Sequence, residues 1–212
     1  MDKNLGDYAA EVVEIVAKKG YPLAKALVCT LYKSKTDLLL YGIDKFTNER
    51  FKIRIKYFAH EEKELSEEKK KYFYEKINER NMSILVDLLE KARISTYDLH
   101  AKILAKLYSN LIQNDKLNYY EHALLANISS LSDLDFTYFY NLIKNKPNSP
   151  LITQDDCEYI AINKFIQIGI LSRSGITHFG ADNGKKVPID FEINNFSKAL
   201  FNMLKSTGFF EK

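Results

Sequence analysis

The spacing of apolar residues constrains the fold of this 212-residue chain most, because it follows the helical period along most of its length. In segment 7–18, Tyr8, Val12, Ile15 and Val16 fall on one face of a helix. The sequence therefore predicts a mainly α-helical protein, with a helical bundle as its central architecture. Further helices are predicted over 23–46, 79–92, 97–113, 118–130, 133–145 and 154–168.

Residues 51–80 carry a more ambiguous pattern. In 51–58, apolar and basic residues alternate as in a strand with one basic face, but no nearby segment offers a partner strand, so we favour a helix. Residues 61–80 hold 7 acidic and 6 basic residues, often four positions apart, and this predicts a solvated helix. In the helix that follows, Ile84, Leu85, Leu88 and Leu89 are predicted to form the buried side.

Three predicted helix starts share one capping motif, a hydroxyl residue followed three positions later by a carboxylate. The hydroxyl can accept a hydrogen bond from an unpaired backbone amide, and the carboxylate is favoured at the positive end of the helix. The pairs are Ser95 with Asp98, Ser132 with Asp135, and Thr153 with Asp156.

After Gly169 the sequence changes from long helical patterns to short apolar segments and a glycine-rich turn. A short apolar segment at 170–172 leads into a glycine-rich turn, a predicted strand at 187–193 and a last helix that Asn194 or Asn195 caps. This order predicts a winged-helix-like α+β module at the C-terminal end.

Two prolines at Pro147 and Pro150 mark 144–150 as the best linker. We therefore expect an N-terminal helical region at 1–94, a central bundle at 95–146 and the winged-helix-like module at 151–212.

The expected cellular compartment follows from three features that the sequence does not show: a signal peptide, a membrane-spanning segment and a disulfide framework. The first 20 residues are amphipathic without an uninterrupted apolar core, so we expect no signal peptide, and the apolar stretch 21–43 is interrupted by charges. Cys29 and Cys157 form no disulfide framework, and the four histidines show no metal-ligand spacing. We expect a cytoplasmic protein, with membrane association as an alternative, and no metal or other cofactor.

One pair of residues suggests catalysis. Arg93 and His100 are separated by six residues, which resembles the R-x4-6-H motif of HEPN ribonucleases. Histidine can move protons near neutral pH and arginine can hold a phosphate. The alternative is that Arg93 is a helix C-terminal charge and His100 an ordinary helix residue.

Charge is unevenly distributed, although the net charge is only +3. The excess falls in residues 1–60, where basic residues alternate with aromatic ones and could contact nucleic acid or an anionic membrane surface. A solvated surface over a core is the other interpretation. The candidate contact residues are Lys45, Arg50, Lys52, Arg54 and Lys56, with Lys185 and Lys186 in the predicted wing.

The acidic start of helix 154–168, with Asp155, Asp156 and Glu158, disfavours its use as a DNA-recognition helix. Protein contacts suit this module better than DNA binding does.

The region 96–206 resembles the Abi-alpha family of bacterial abortive-infection proteins. The matching pieces are the runs KILAKLYSNLIQND (102–115), NYYEHALLANISSLSDLDFTYFYNLI (118–143), INKFIQIGILSRSG (162–175) and VPIDFEINNFSKALFNML (187–204). Tyr108 stands where the family often has tryptophan, and Tyr120 where it often has proline. The resemblance implies a role in phage defence and transfers no catalytic residue.

The leading hypothesis is a non-enzymatic bacterial phage-defence or regulatory protein that acts through a protein partner or a second copy of itself. Nucleic acid or an anionic membrane surface could be an additional contact. The alternatives are a HEPN-like ribonuclease and a winged-helix DNA-binding regulator.

Overall fold

The structure, a computed structural model, describes residues 38–145, 157–173 and 191–210. The described residues form eight α-helices, one short 3-10 turn (Ile128–Ser130) and two short strands. The elements are α1 (Leu38–Lys63), α2 (Glu67–Lys76), α3 (Glu79–Ile94), α4 (Asp98–Asn114), α5 (Tyr119–Asn127), α6 (Asp133–Asn145), α7 (Cys157–Gln167), β1 (Leu171–Arg173), β2 (Phe191–Ile193) and α8 (Asn195–Ser206). The mainly helical prediction is therefore confirmed.

Helix α1 resolves the ambiguity at 51–58, which is helical as favoured. The helix runs without a break through residues 38–63, so the predicted end at 46 is wrong. Its buried side holds Arg54 and Phe58, four residues apart, and this is the helical rather than the alternating spacing. The predicted helix over 7–18 and residues 23–37 lie outside the described residues.

The single solvated helix predicted over 61–80 is wrong, because two polar side chains start new helices within it. The Ser66 hydroxyl accepts from the Lys69 amide at 3.3 Å, and the Asn78 side chain accepts from the Asn81 amide at 2.9 Å. Helix α2 also turns Phe73 and Lys70 into the interior. In α3, Ile84, Leu85 and Leu88 are buried as predicted, while Leu89 is half-buried.

The three predicted caps have different outcomes. Ser132 and Asp135 form the expected reciprocal pair: the Asp135 amide donates to the Ser132 hydroxyl at 3.1 Å, and the Ser132 amide donates to the Asp135 carboxylate at 2.7 Å. The cap at Ser95 is wrong, because α4 begins at Asp98 and the Ser95 hydroxyl donates to the Tyr97 carbonyl at 3.2 Å. Thr153 and Asp156 lie outside the described residues.

Helix α4 forms the centre of the core. It is buried along most of its length and packs against α1, α2, α3, α5 and α8. Its fully buried residues include Leu99, Ile103, Leu104, Leu107 and Leu111. The core continues without interruption from Phe58 in α1 to Leu204 in α8.

The C-terminal part contains the two strands, which pair antiparallel with Leu171 opposite Ile193. Asn194 caps α8 as predicted: its side chain accepts from the Ser197 amide at 3.0 Å. The Asn194 amide group also donates to the Gly169 carbonyl at 3.0 Å, which fastens α8 to the turn before β1. The predicted glycine-rich turn and the proline linker lie outside the described residues.

Candidate functional site

Two arginines of α1 fasten the junction between α3 and α4. The Arg54 guanidinium donates from Nη1 to the Ala92 carbonyl at 2.9 Å and the Ser95 carbonyl at 2.6 Å, and from Nε to Asp98 Oδ1 at 3.3 Å. Arg50, one turn earlier, donates to the Thr96 carbonyl. These bonds satisfy carbonyls at the end of α3, which the helix itself leaves unpaired.

This role changes the interpretation of the predicted basic surface. Arg54 is only 1% exposed, so as a surface contact residue it is wrong; its side chain is used inside the protein. Lys52 forms an ion pair with Glu49 at 2.8 Å, and Lys56 is exposed. The side chain of Lys45, together with Lys185 and Lys186, lies outside what the structure describes.

His100 lies in the first turn of α4 and is 2% exposed. Its ring packs edge-on against Tyr97 and Phe136, with ring centroids 5.1 Å and 5.8 Å away. Burial lowers the pKa of His100 to about 4; a hydrogen bond with the Leu131 backbone opposes the shift and the nearby charge of Arg54 adds to it. The imidazole is therefore neutral at pH 7.

Arg54, rather than Arg93, is the arginine whose charge affects the pKa of His100. Arg93 instead binds Glu90 one turn earlier on α3, with Nε to Oε2 at 2.9 Å. That bond holds the pKa of the Glu90 carboxyl below its usual range. Proximity in sequence suggested the pair of Arg93 and His100, whereas the folded chain brings His100 near an arginine 46 residues away.

Asp133 completes a polar cluster in which Arg54 and His100 are buried, Asp133 is half-buried and Asp98 is exposed. Asp133 is the first residue of α6, and burial together with repulsion from Asp98 raises its pKa. Three atoms in this cluster are buried without a hydrogen-bond partner among the described residues: Arg54 Nη2, His100 Nε2 and Asp133 Oδ1. Unpaired buried polar atoms are rare in folded proteins and call for an explanation.

The cluster contains a positively charged hydrogen-bond donor, Arg54, and a neutral imidazole acceptor, His100. Such a pair could hold a phosphate oxygen and accept a proton, as in acid–base catalysis. In the described conformation both side chains are closed off from solvent. Catalysis at this cluster would therefore require the α3–α4 junction to open.

Two open cavities lie on another face of the bundle. One, of about 530 Å³, lies between α2 and the end of α4 and includes Lys69, Tyr72, Gln113 and Lys116 in its lining. The other, of about 270 Å³, lies between α5 and α8 and includes Tyr120, Phe196 and Asn202. Sequence reasoning did not find either cavity, because their residues come from four helices.

Within 38–145, 157–173 and 191–210, no group of three or more histidine, cysteine or acidic side chains is arranged to hold a metal ion. None of the helices in the same ranges has the length and apolar character needed to cross a membrane.

Comparison with known proteins gives no relative: no family model, curated protein or solved structure matches this chain.

Proposed function

We propose that this chain is a non-enzymatic bacterial phage-defence or regulatory protein that acts through protein contacts, similar in role to the Abi-alpha family that region 96–206 resembles. One observation supports the proposal. Three large aliphatic side chains, each next in sequence to a residue of the α3–α4 junction or of the polar cluster, are more than half exposed: Ile53 (54%), Ile94 (58%) and Leu134 (69%). Exposed apolar groups that cluster together are typical of protein-interaction sites.

These three residues, which we call the apolar rim, are adjacent in sequence to the residues of the junction. Ile53 precedes Arg54, and Ile94 precedes Ser95, whose carbonyl Arg54 binds. Leu134 follows Asp133, which is near enough to Asp98 for their charges to interact. The Arg54 hydrogen bonds to the Ala92 and Ser95 carbonyls hold the backbone on both sides of Ile94, so a partner would lose little entropy in ordering this part of the rim.

A double variant, Ile94→Lys with Leu134→Lys, tests the proposal by placing charge on the rim. We expect protection against phage to fall by at least about tenfold, because burying an unpaired lysine opposes binding. Growth and phage plating should be scored together in bacteria that express each variant.

Val86→Lys is the matched control, since Val86 is an exposed aliphatic residue of α3 away from the rim, at 41%. The proposal is wrong if the double variant protects as well as the parent, or if Val86→Lys loses protection equally while both remain folded by circular dichroism.

A HEPN-like ribonuclease is the second candidate, and the unpaired Nε2 of His100 beside the unpaired Nη2 of Arg54 favours it. This version of the hypothesis uses Arg54 in place of Arg93. His100→Asn keeps a donor that can reach the Leu131 backbone and removes Nε2, so it should abolish RNA cleavage while preserving the fold. Cleavage of labelled RNA by the parent and no cleavage by the variant would favour the enzyme over the protein-contact proposal.

A winged-helix-like module for 151–212 is retained as a proposal. The order α7, β1, β2, α8 and the antiparallel pairing of the strands support it. A DNA-binding regulator built on this module predicts that the full chain binds duplex DNA at low salt, and a flat titration would reject that alternative.

A further inference from the structure

The two open cavities share part of their lining. Asn118 and Glu121 contribute to both, so the cavities adjoin at the start of α5, and we call the two together the groove. Its lining includes residues of α2, α4, α5 and α8. An extended chain that crosses the start of α5 would contact both cavities.

Each of the two cavities has one exposed tyrosine in its lining. Tyr72 is 48% exposed, and the ammonium group of Lys76 lies 4.6 Å from its ring centroid. Tyr120 is 39% exposed and stacks on Phe196, with ring centroids 5.0 Å apart. Aromatic rings in an open groove serve single-stranded nucleic acid as platforms on which bases stack.

Polar groups suited to a nucleic acid strand line the cavity that holds Tyr72. Lys69 and Lys116 are exposed and form no ion pair within the described part of the chain, so both ammonium groups can meet phosphates. The exposed side-chain amides of Gln113 and Asn114 can donate to bases and accept from them.

The two acidic residues of the groove are engaged internally. The Glu121 carboxylate accepts from Asn110 Nδ2 and from the Asn118 amide, both at 2.7 Å. The Asp115 carboxylate accepts from Asn81 Nδ2 at 3.0 Å. These hydrogen bonds spread the negative charge and reduce its repulsion of a phosphate, whereas they leave the lysines available.

We propose that this groove binds single-stranded nucleic acid, with bases stacked on Tyr72 and Tyr120 and phosphates near Lys69 and Lys116. The site shares no residue with the apolar rim or with the 45–56 segment. The proposal therefore does not depend on the proposed function. An acidic peptide is the competing ligand, but it would leave the two aromatic platforms and the amides without a role.

The test measures fluorescence anisotropy of a labelled oligouridylate of about ten nucleotides with the full chain at low salt. Tyr72→Leu should weaken binding about tenfold, whereas Tyr72→Phe keeps the ring and should restore it. Lys69→Gln with Lys116→Gln should weaken binding and reduce the dependence of log affinity on log salt by roughly 1.4, for two phosphate contacts.

Lys71→Gln is the matched charge control, because Lys71 is exposed on the same helix α2 but does not line the groove. It should bind as the parent does. Circular dichroism melts of all variants identify any loss of fold.

Four results would overturn the proposal: no binding by the parent, equal binding by Tyr72→Leu, equal loss with Lys71→Gln, or a loss that occurs only with Lys52→Gln and Lys56→Gln. Displacement of the oligouridylate by an abasic phosphate polymer or a polyglutamate peptide at equal charge concentration would also overturn it. Displacement by either polymer would indicate a surface that binds negative charge and does not require bases.

Discussion

Two aspartates at the start of α6, only two residues apart, are placed in opposite electrostatic environments. Asp135 is buried, which alone would raise its pKa, but hydrogen bonds from Lys164 and from Ser132 lower it overall. Asp133 receives no such compensation: burial and the charge of Asp98 raise its pKa, and its Oδ1 has no partner among the described residues. The contrast shows that a helix start can contain one carboxylate that stabilises the fold and another that opposes it.

The same contrast separates the two sides of the molecule that α6 joins. On the α7 side, the Lys164 ammonium lies 2.9 Å from Asp135 and the carboxylate is fully engaged. On the α1 and α4 side, Arg54 is bound to three groups yet has one unpaired nitrogen, and His100 has another. We expect substitutions on the two sides to change the free energy of unfolding by different amounts, with a different pH dependence and even with opposite sign.

Arg54→Met should have the largest effect. It leaves the Ala92 and Ser95 carbonyls without their donor, and each buried acceptor left unpaired costs about 1–3 kcal/mol. The Asp98 carboxylate is exposed, so losing its bond to Arg54 adds little. Urea unfolding at pH 7 measures the change in the free energy of unfolding. Arg93→Met is the control, because its partner Glu90 is half-exposed, and it should cost about 1 kcal/mol or less. Equal losses in the two variants would contradict the role given to Arg54.

Acid should destabilise the protein through His100. Its folded-state pKa of about 4 lies below the ordinary histidine value of 6.5, so the unfolded chain binds the proton more readily. The stability that neutral His100 provides is complete above pH 6.5 and is lost as the pH falls toward 4, by about 3 kcal/mol at most.

Urea unfolding between pH 7 and pH 4 should show this loss in the parent and less of it in His100→Asn. A pH profile that is the same in both proteins would mean that His100 does not cause it.

Asp135→Asn should cost about 1–2 kcal/mol at pH 7. The change removes the charge that holds Lys164 and weakens the bonds to Ser132. Because the folded-state pKa of Asp135 is lowered, its contribution is present at neutral pH and fades as the pH falls through that value. Thermal unfolding at pH 7 and at pH 3 checks both statements, and an unchanged difference between parent and variant at the two pH values would refute the second.

Asp133→Asn should have the smallest effect and the opposite sign, a gain of about 0.5 kcal/mol at pH 7. It removes the repulsion from Asp98, and an amide is less costly to bury than a carboxylate. Thermal unfolding beside Asp135→Asn provides the comparison. A loss as large as that of Asp135→Asn would show that Asp133 has a stabilising partner after all.

The local parts of the fold were predictable from the sequence, and the partnerships across the fold were not. Helix α6, its cap at Ser132 and the cap of α8 at Asn194 depend on residues within one helical turn, so their patterns could be read directly. Ser95 had the same pattern as Ser132, yet it lies in the connection between α3 and α4, where arginines of α1 bind the Ser95 and Thr96 carbonyls. A local pattern cannot report a bond to a residue about 40 positions away.

The candidate site was predictable to the same limited degree. His100 was identified from sequence, but its arginine was assigned as Arg93 because Arg93 is nearby along the chain. The preference for a helix at 51–58 gave no sign that Arg54 would be buried beside Phe58. The groove beside α5 has no sequence motif, since it exists only where α2, α4, α5 and α8 come together.

The bonds of Arg54 also have a consequence for the order of events during folding. They join residues 38, 41 and 44 positions apart, so α1 must dock on the α3–α4 junction before they form. Contacts that form late are absent from the folding transition state. We therefore expect the loss of these bonds to speed unfolding more than it slows folding, so that Arg54 affects mainly the lifetime of the native state.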